Sequence, residues 1–455
     1  MASFTTINPA TGARLARHRL QSPAEIERAL ARARRGFLLW RDTPISARGS
    51  RLRAAASALR RSASPLAELA TREMGKPLVQ ARAEVEKCAA ACEFYAAHAK
   101  GYLAEERPLD APRQGSVVFE PLGPVLAVMP WNFPFWQVVR AAAPALMAGN
   151  AFLLKHAPNV TGCALAIAEI WREAGLPTGV FQTLLVETGQ VPALIADPRV
   201  AAVTLTGSSR AGRSVAEAAG ASMKKGVYEL GGSDAYLILE DADLAQAAEV
   251  CASSRLINSG QSCVCAKRFI VTRKVRREFE ERFMARLAAR RIGDPMDPST
   301  DVGPLARADL REALHRQVSG SLRAGALLRL GGKPIRGPGF YYAPTLLTSV
   351  RKGAPAYAEE LFGPVAALIT ARDEEHAVAL ANDSAFGLGA AIFTADRRRG
   401  RKIALRIEAG CVFVNDFVRS DPSLPFGGIK QSGYGRELGP YGIREFVSAK
   451  TLWVS

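Results

Sequence analysis

Four short stretches of this chain hold residue types that could do chemistry. In Asn258-Ser259-Gly260-Gln261-Ser262-Cys263-Val264-Cys265 a thiol sits among small and polar residues, with a glycine where backbone must approach closely. Substrate can reach a Cys in such a turn, unlike Cys163 or Cys251 inside helical apolar patterns. Taken alone, the simpler reading is a cysteine in a loop. Val227-Tyr228-Glu229-Leu230-Gly231-Gly232 places one carboxylate between apolar residues at a strand end. Burial there would raise its pKa toward that of a general base, whereas on an edge strand it would be a surface Glu. In Met129-Pro130-Trp131-Asn132-Phe133-Pro134 the Asn amide is fixed between aromatics and prolines. It either donates rigidly to a developing oxyanion or completes a tight turn. Thr206-Gly207-Ser208-Ser209-Arg210-Ala211-Gly212 follows a strand and opens a helix. Backbone N–H groups there could meet a pyrophosphate, although the spacing is not G-x-G-x-x-G.

These stretches need a scaffold. Apolar runs at Pro124 to Met129, Ala151 to Lys155, Val180 to Val186 and Ala201 to Thr206 read as buried strands, with helical segments such as Val160 to Ala174 between them. The alternation predicts a mostly parallel, doubly wound sheet, which binds ligands at the carboxyl ends of its strands. After Gly231-Gly232 a second alternation begins, with strands at Ala235 to Leu239, Phe269 to Val271 and Ala366 to Thr370 and helices over 243–257 and 275–291. The first hundred residues read as helices. Ser22-Pro23-Ala24-Glu25 is a capping box ahead of Ile26, Leu30 and Ala33, and breaks fall at Pro65 and Gly75-Lys76-Pro77. Two extended pieces, Gly115 to Glu120 and Phe446 to Val454, fit neither domain, and a partner subunit could supply their pairing.

Composition narrows the classes. A chain of 455 residues, 48% hydrophobic and 23% charged, predicts two or three globular domains rather than disorder or coiled coil. No run approaches the ~20 apolar residues of a membrane helix, and the N-terminus has no signal-peptide core, so no membrane partner and a cytoplasmic location are expected. Seven Cys suit a reducing compartment, and five His without ligand spacing predict no metal. The net charge of +17 is spread along helices, with its densest cluster at Arg397 to Lys402. With aromatics at only 7%, it predicts a solvated surface rather than nucleic-acid binding. Cys263 and Cys265 stand two apart, the arrangement of a redox switch, unless Cys265 merely packs.

Together the motifs resemble the aldehyde dehydrogenase superfamily over about residues 5–455. The matches are the PWNFP block at 130–134, Leu154-Lys155, the glycines at 207 and 212, Glu229-Leu230-Gly231-Gly232 and the Gly-Gln-x-Cys block ending at Cys263. Glu360-Leu361-Phe362-Gly363-Pro364 and Pro425-Phe426-Gly427-Gly428-x-Lys430-x-Ser432-Gly433 follow in the family's order. The Gln-Ser-Cys-Val-Cys form and Lys155-His156-Ala157-Pro158-Asn159 are most similar to the succinate-semialdehyde dehydrogenase branch.

That resemblance implies an α/β fold of two doubly wound domains plus a small β oligomerisation extension. Residues 1–100 and 120–230 would bind dinucleotide, 231–440 would be catalytic, and 101–119 with 441–455 would form the extension. It implies Cys263 as nucleophile, Glu229 as general base, and Asn132 with the Cys263 N–H as oxyanion hole. NAD or NADP would lie on Trp131, Lys155, Pro158, Gly207, Ser208, Gly212, Leu230, Glu360 and Phe362. Pro158 stands where NAD-restricted relatives carry a Glu, so both cofactors should work. Arg140, with Trp136 and Ser420, would grip the distal carboxylate of a semialdehyde. The chain departs from some relatives at Ile257, where they carry a second Arg, while Arg255 lies two residues earlier. A homodimer or homotetramer oxidising an aldehyde, foremost succinate semialdehyde, to its acid is the resulting expectation. The alternatives are a broad-range aliphatic or aromatic aldehyde dehydrogenase, a CoA-acylating relative, and a nonenzymatic basic RNA-binding protein on the same scaffold.

Overall fold

A computed structural model describes residues 2–455. Its first sheet has six strands in the order Gly433–Tyr434, Lys225–Glu229, Ala202–Thr206, Pro124–Met129, Ala151–His156 and Phe181–Thr183, all parallel except the first. Every residue of Ala151–His156 is buried, as expected of a parallel strand covered on both faces. Phe152 and Leu154 pack into a core shared with the helices Ile45–Arg61, Ala63–Met74 and Leu78–Tyr102. Leu153 points the other way, toward Ile26, Leu30 and Ala33 of Pro23–Arg41. Ser22 caps that last helix, accepting from the Glu25 N–H while Glu25 accepts from the Ser22 N–H.

The second sheet has seven strands, Leu327–Leu330, Thr345–Thr348, Val365–Ala371, Ala266–Thr272, Asp234–Ile238, Gly389–Phe393 and Cys411–Val414 in spatial order. Only its Leu327–Leu330 edge is antiparallel. Chain continuity makes the functional seam. Glu229 ends a strand of the first sheet, and Asp234 begins one of the second only five residues on.

Several expectations are corrected. Ser3–Ile7 and Arg14–Arg19 form an antiparallel hairpin where the first hundred residues read as helical. The strand expected over 180–186 is only Phe181–Thr183, because the chain leaves the ladder for a short 3-10 turn at Thr188–Gln190. The break expected at Pro65 falls at Ser62, since a helix tolerates Pro in its first turn. Gly115–Pro121 and Val447–Trp453 pair with each other over seven residues, so this chain itself supplies the pairing assigned to a partner subunit. Within the Arg397 cluster, Arg399 turns inward to Glu240, Asp241 and Glu374.

Candidate active site

The turn carrying Cys263 is built from unusual backbone. Asn258, Ser259 and Gly260 have φ of 52°, 56° and 78°, three left-handed residues in succession. Such conformations persist only where surrounding bonds over-determine them. Asn258 Nδ2 donates to the carbonyls of Asn132 (2.7 Å) and Gln261 (3.1 Å). Ser259 Oγ accepts from the Gly303 N–H, and Gln261 Oε1 accepts from the Ala306 N–H, each at 2.9 Å. Gly260 has no substitute, because a Cβ there would lie 2.3 Å from the Gly363 carbonyl carbon. Lys267, fully buried, donates to the Ser262 and Cys263 carbonyls at 3.0 and 2.5 Å.

Asn132 is held against the same turn, its Nδ2 donating to the Gln261 carbonyl at 3.1 Å. Its Oδ1 is buried without a partner. Glu84 fixes this segment from behind, accepting from the N–H groups of Phe135 (2.8 Å) and Trp136 (2.9 Å) at the start of Trp136–Met147. Lys76 pairs with Glu84 and stands 3.7 Å from the Phe133 ring centre. An amide held from two sides keeps its second N–H for a developing negative charge.

Glu229 is 2% exposed, and neither carboxylate oxygen has a hydrogen-bond partner. Burial pushes its pKa well above the usual carboxylate range; the Arg140 cation pulls it back, and Glu437 pushes it further. Gly427 leaves room for it, since a Cβ there would lie 2.7 Å from Glu229 Oε1. The Cys263 thiol is pushed up to about 12 by burial, against the pull of Arg140 and Lys267. Cys265 is buried, its thiol turned to the Ile257 carbonyl at 3.5 Å. A half-buried thiol near a buried, unbonded, proton-accepting carboxyl is the equipment of covalent catalysis followed by hydrolysis.

Residues that fit a dinucleotide surround this centre. Lys155 ends a strand of the first sheet, and its pKa is lowered by burial with no anion to offset it. Trp131 and Phe362 meet edge to face at 5.7 Å. Glu360 accepts from the Gly232 N–H at 3.0 Å and lies 3.4 Å from Lys267 Nζ. Gly231 faces it so closely that a Cβ would sit 2.5 Å from Glu360 Oε2. Ser208 caps the helix Ser209–Ala221 by accepting from the Ala211 N–H. The N–H groups of Gly207 and Gly212 are taken by the carbonyls of Glu229 and Ser208, and Gly212 packs on the Leu230 side chain. The N–H groups of Ser209 and Arg210, in the first turn of that helix, are of the kind a helix N-terminus leaves for an anion. Pro158 opens the 3-10 turn Pro158–Val160 and brings no carboxylate to it.

The substrate end departs furthest from expectation. Arg140 is not free to grip a ligand: it is buried, ion-paired with Glu437 and stacked 5.0 Å from the Phe426 ring centre. Its Nη2 also donates to Thr206 Oγ1 at 3.2 Å. Arg255 is likewise buried, donating to the Gly260 carbonyl at 2.7 Å. Ser420 and Trp136 do come together, but around Lys87, whose ammonium donates to Ser420 Oγ at 2.9 Å and lies 4.3 Å from the Trp136 ring centre. Sequence reading passed over Glu84, Lys87, Lys267 and Glu437. A carboxylate or an ammonium inside an apolar helical stripe, as at Glu84 and Lys87, was the one available signal.

Comparisons with known proteins agree with this chemistry. The model of the aldehyde dehydrogenase family matches residues 2–452. The chain is 49% identical over 448 residues to succinate semialdehyde dehydrogenase, NAD(P)+, of Escherichia coli (strain K12), covering 98% of this chain and 97% of that protein. It is 48% identical over 456 residues to succinate-semialdehyde dehydrogenase, NADP(+), 1 of Mycobacterium tuberculosis (strain H37Rv), covering 99% and 100%. The structure superimposes on the crystal structure of succinic semialdehyde dehydrogenase from Streptococcus pyogenes in complex with NADP+ with a TM-score of 0.97, at 39% identity and 99% coverage of both chains. With matches of this length and a thiol, an amide and a buried carboxyl in one seam, the chain belongs to the aldehyde dehydrogenase family.

Proposed function

We propose that this enzyme oxidises succinate semialdehyde to succinate with NADP+ or NAD+, using Cys263 as nucleophile, Glu229 as general base and Asn132 as oxyanion donor. The observation that carries the chemistry is Glu229: a buried carboxyl with both oxygens unbonded, within electrostatic reach of the Cys263 thiol. The substrate reading rests on the relatives at about half identity whose names specify that semialdehyde.

Glu229 takes the Cys263 proton, and the thiolate attacks the aldehyde carbon to give a thiohemiacetal. Asn132 Nδ2 donates to its oxyanion, an interaction typically worth about 2.7–4 kcal/mol. Lys155, Glu360, Phe362 and the Ser209 helix would hold NAD(P)+, which would supply the two-electron acceptor for the hydride leaving that carbon. A thioester remains on Cys263. Glu229, having released the thiol proton to solvent, takes a proton from water; the hydroxide adds to the thioester, the Cys263 thiolate leaves and is reprotonated by Glu229, and the acid is freed.

Pro158 supports acceptance of NADP+, because no fixed carboxylate meets the 2′-phosphate and the Lys155 ammonium lies three residues away. The ribbon of Gly115–Pro121 and Val447–Trp453 supports self-association, with Leu452, Trp453 and Val454 exposed beside it. Seven free cysteines support a reducing cytoplasmic setting, and among the described residues no helix is long and apolar enough to cross a membrane.

A panel of aldehydes with each cofactor tests the reading. Succinate semialdehyde should exceed butanal at least tenfold in kcat/KM, without CoA. Equal rates on both, or dependence on CoA, would overturn it.

A further inference from the structure

The ion pair with Glu437 takes Arg140 out of the role of substrate anchor, and Arg255 is bound to backbone. Apart from Lys155 on the dinucleotide side, Lys87 is a cation near the site that no counterion meets among the described residues. Lys87 projects from the helix Leu78–Tyr102, donates to Ser420 Oγ at 2.9 Å and covers the Trp136 ring at 4.3 Å. Among the described residues no carboxylate lies within 4 Å of its ammonium, although Lys76, eleven residues earlier, is paired with Glu84.

Its surroundings connect to the reacting centre. Ser420 lines a cavity of about 400 Å³ together with Cys411, Arg419, Asp421, Leu424 and Phe426. Phe426 is the ring on which Arg140 stacks, and Cys411 lies within electrostatic reach of Glu229. Trp136 begins the helix that directly follows the Asn132 block. An anion bound at Lys87 would thus lie beside Ser420, in the wall of this cavity, next to the first turn of the helix that the Asn132 block leads into.

We propose that Lys87, with the Ser420 hydroxyl beside it and the Trp136 face beneath it, binds the distal carboxylate of the aldehyde substrate. The inference rests on the semialdehyde reading above. A half-buried ammonium satisfied by one hydroxyl and an aromatic face, but by no charge, is incompletely compensated. Burial and the nearby Arg140 cation push its pKa down to about 8, against the weaker pull of Asp421 and Glu84. A carboxylate arriving there completes a charge-assisted hydrogen bond and relieves the repulsion between two cations.

The experiment compares the full enzyme with Lys87→Gln and Lys87→Arg on succinate semialdehyde and on butanal, with succinate as an inhibitor of butanal oxidation. Loss of one charge-assisted bond corresponds to roughly ten- to a hundredfold. Lys87→Gln should lower kcat/KM for the semialdehyde by that factor, mainly through KM, and weaken succinate inhibition in parallel. Butanal turnover, which reports an intact fold and thiol, should change less than twofold. Lys87→Arg keeps the charge and should lose less than tenfold. Equal loss on both aldehydes, or unchanged succinate inhibition in Lys87→Gln, overturns the assignment. A wild-type enzyme that does not prefer the semialdehyde defeats the substrate reading alone, because the succinate inhibition constant still decides the role of Lys87.

Discussion

Arg140 and Glu437 form an ion pair in which both side chains are almost inaccessible, at 2% and 1% exposure. Removing one partner leaves the other charge buried and unpaired, which typically costs about 3–5 kcal/mol. Glu437→Leu alone should therefore lower the denaturation midpoint sharply, and Arg140→Met with Glu437→Leu should recover much of the loss. Because the Arg140 cation holds the pKa of Glu229 down, Arg140→Met should also move the pH profile of thioester hydrolysis to higher pH. Semialdehyde and butanal should suffer alike. A loss confined to the semialdehyde would restore Arg140 as the substrate anchor.

Separation of roles is testable in the covalent step. Cys263→Ala should abolish oxidation. Glu229→Gln should slow hydrolysis and leave an acyl-enzyme that mass spectrometry detects on Cys263. Cys265→Ala should retain most activity, since its thiol faces the Ile257 carbonyl. Complete loss in all three variants would contradict these roles.

Labelling of Cys263 by iodoacetamide in the absence of cofactor should report how far its thiol is raised. With the pKa pushed up to about 12, the thiolate fraction grows tenfold for each pH unit below that value. The rate should rise about a hundredfold from pH 7 to pH 9 with no plateau. Levelling near pH 8.5 would mean an ordinary exposed thiol.

A carboxylate introduced at Pro158 tests cofactor choice. Pro158→Glu places a carboxylate where a 2′-phosphate would lie, so NADP+ should lose at least tenfold in kcat/KM while NAD+ changes little. Parallel loss with both cofactors would show that the substitution only disturbs the Pro158–Val160 turn.

Lys87 predicts a pH dependence that the common catalytic groups cannot produce. The ratio of kcat/KM for semialdehyde to that for butanal cancels Cys263 and Glu229. Binding a carboxylate needs Lys87 protonated, which holds below about pH 8. Burial first, then the Arg140 cation, lower that value, while Cys88 and Glu84 on its own helix and Asp421 raise it. The ratio should be flat below about pH 8 and fall roughly tenfold per unit above it. A ratio flat to pH 10 would remove Lys87 from the substrate site.

Much of this enzyme is legible in local sequence. Ala151–His156 and its parallel neighbours read as strands because both faces are buried and the run is nearly all apolar. Cys263, Glu229 and Asn132 stand out because each breaks its surroundings: a thiol behind a glycine turn, a carboxylate in an apolar strand, an amide between prolines. The hairpin of Ser3–Ile7 and Arg14–Arg19 escaped because its face is largely solvated, so no alternation marks it.

What tertiary structure alone decided is which charges meet. The type and spacing of Arg140 suit a ligand, but its environment depends on Glu437, about three hundred residues further along the chain. Lys87 looks like one more polar residue on a helix until Ser420 and Trp136 close around it without an anion. Residue type and spacing encode backbone conformation and burial, which are local and strongly patterned. Whether a buried charge is neutralised by the protein or left for a substrate is settled by one long-range contact, and no periodicity records it.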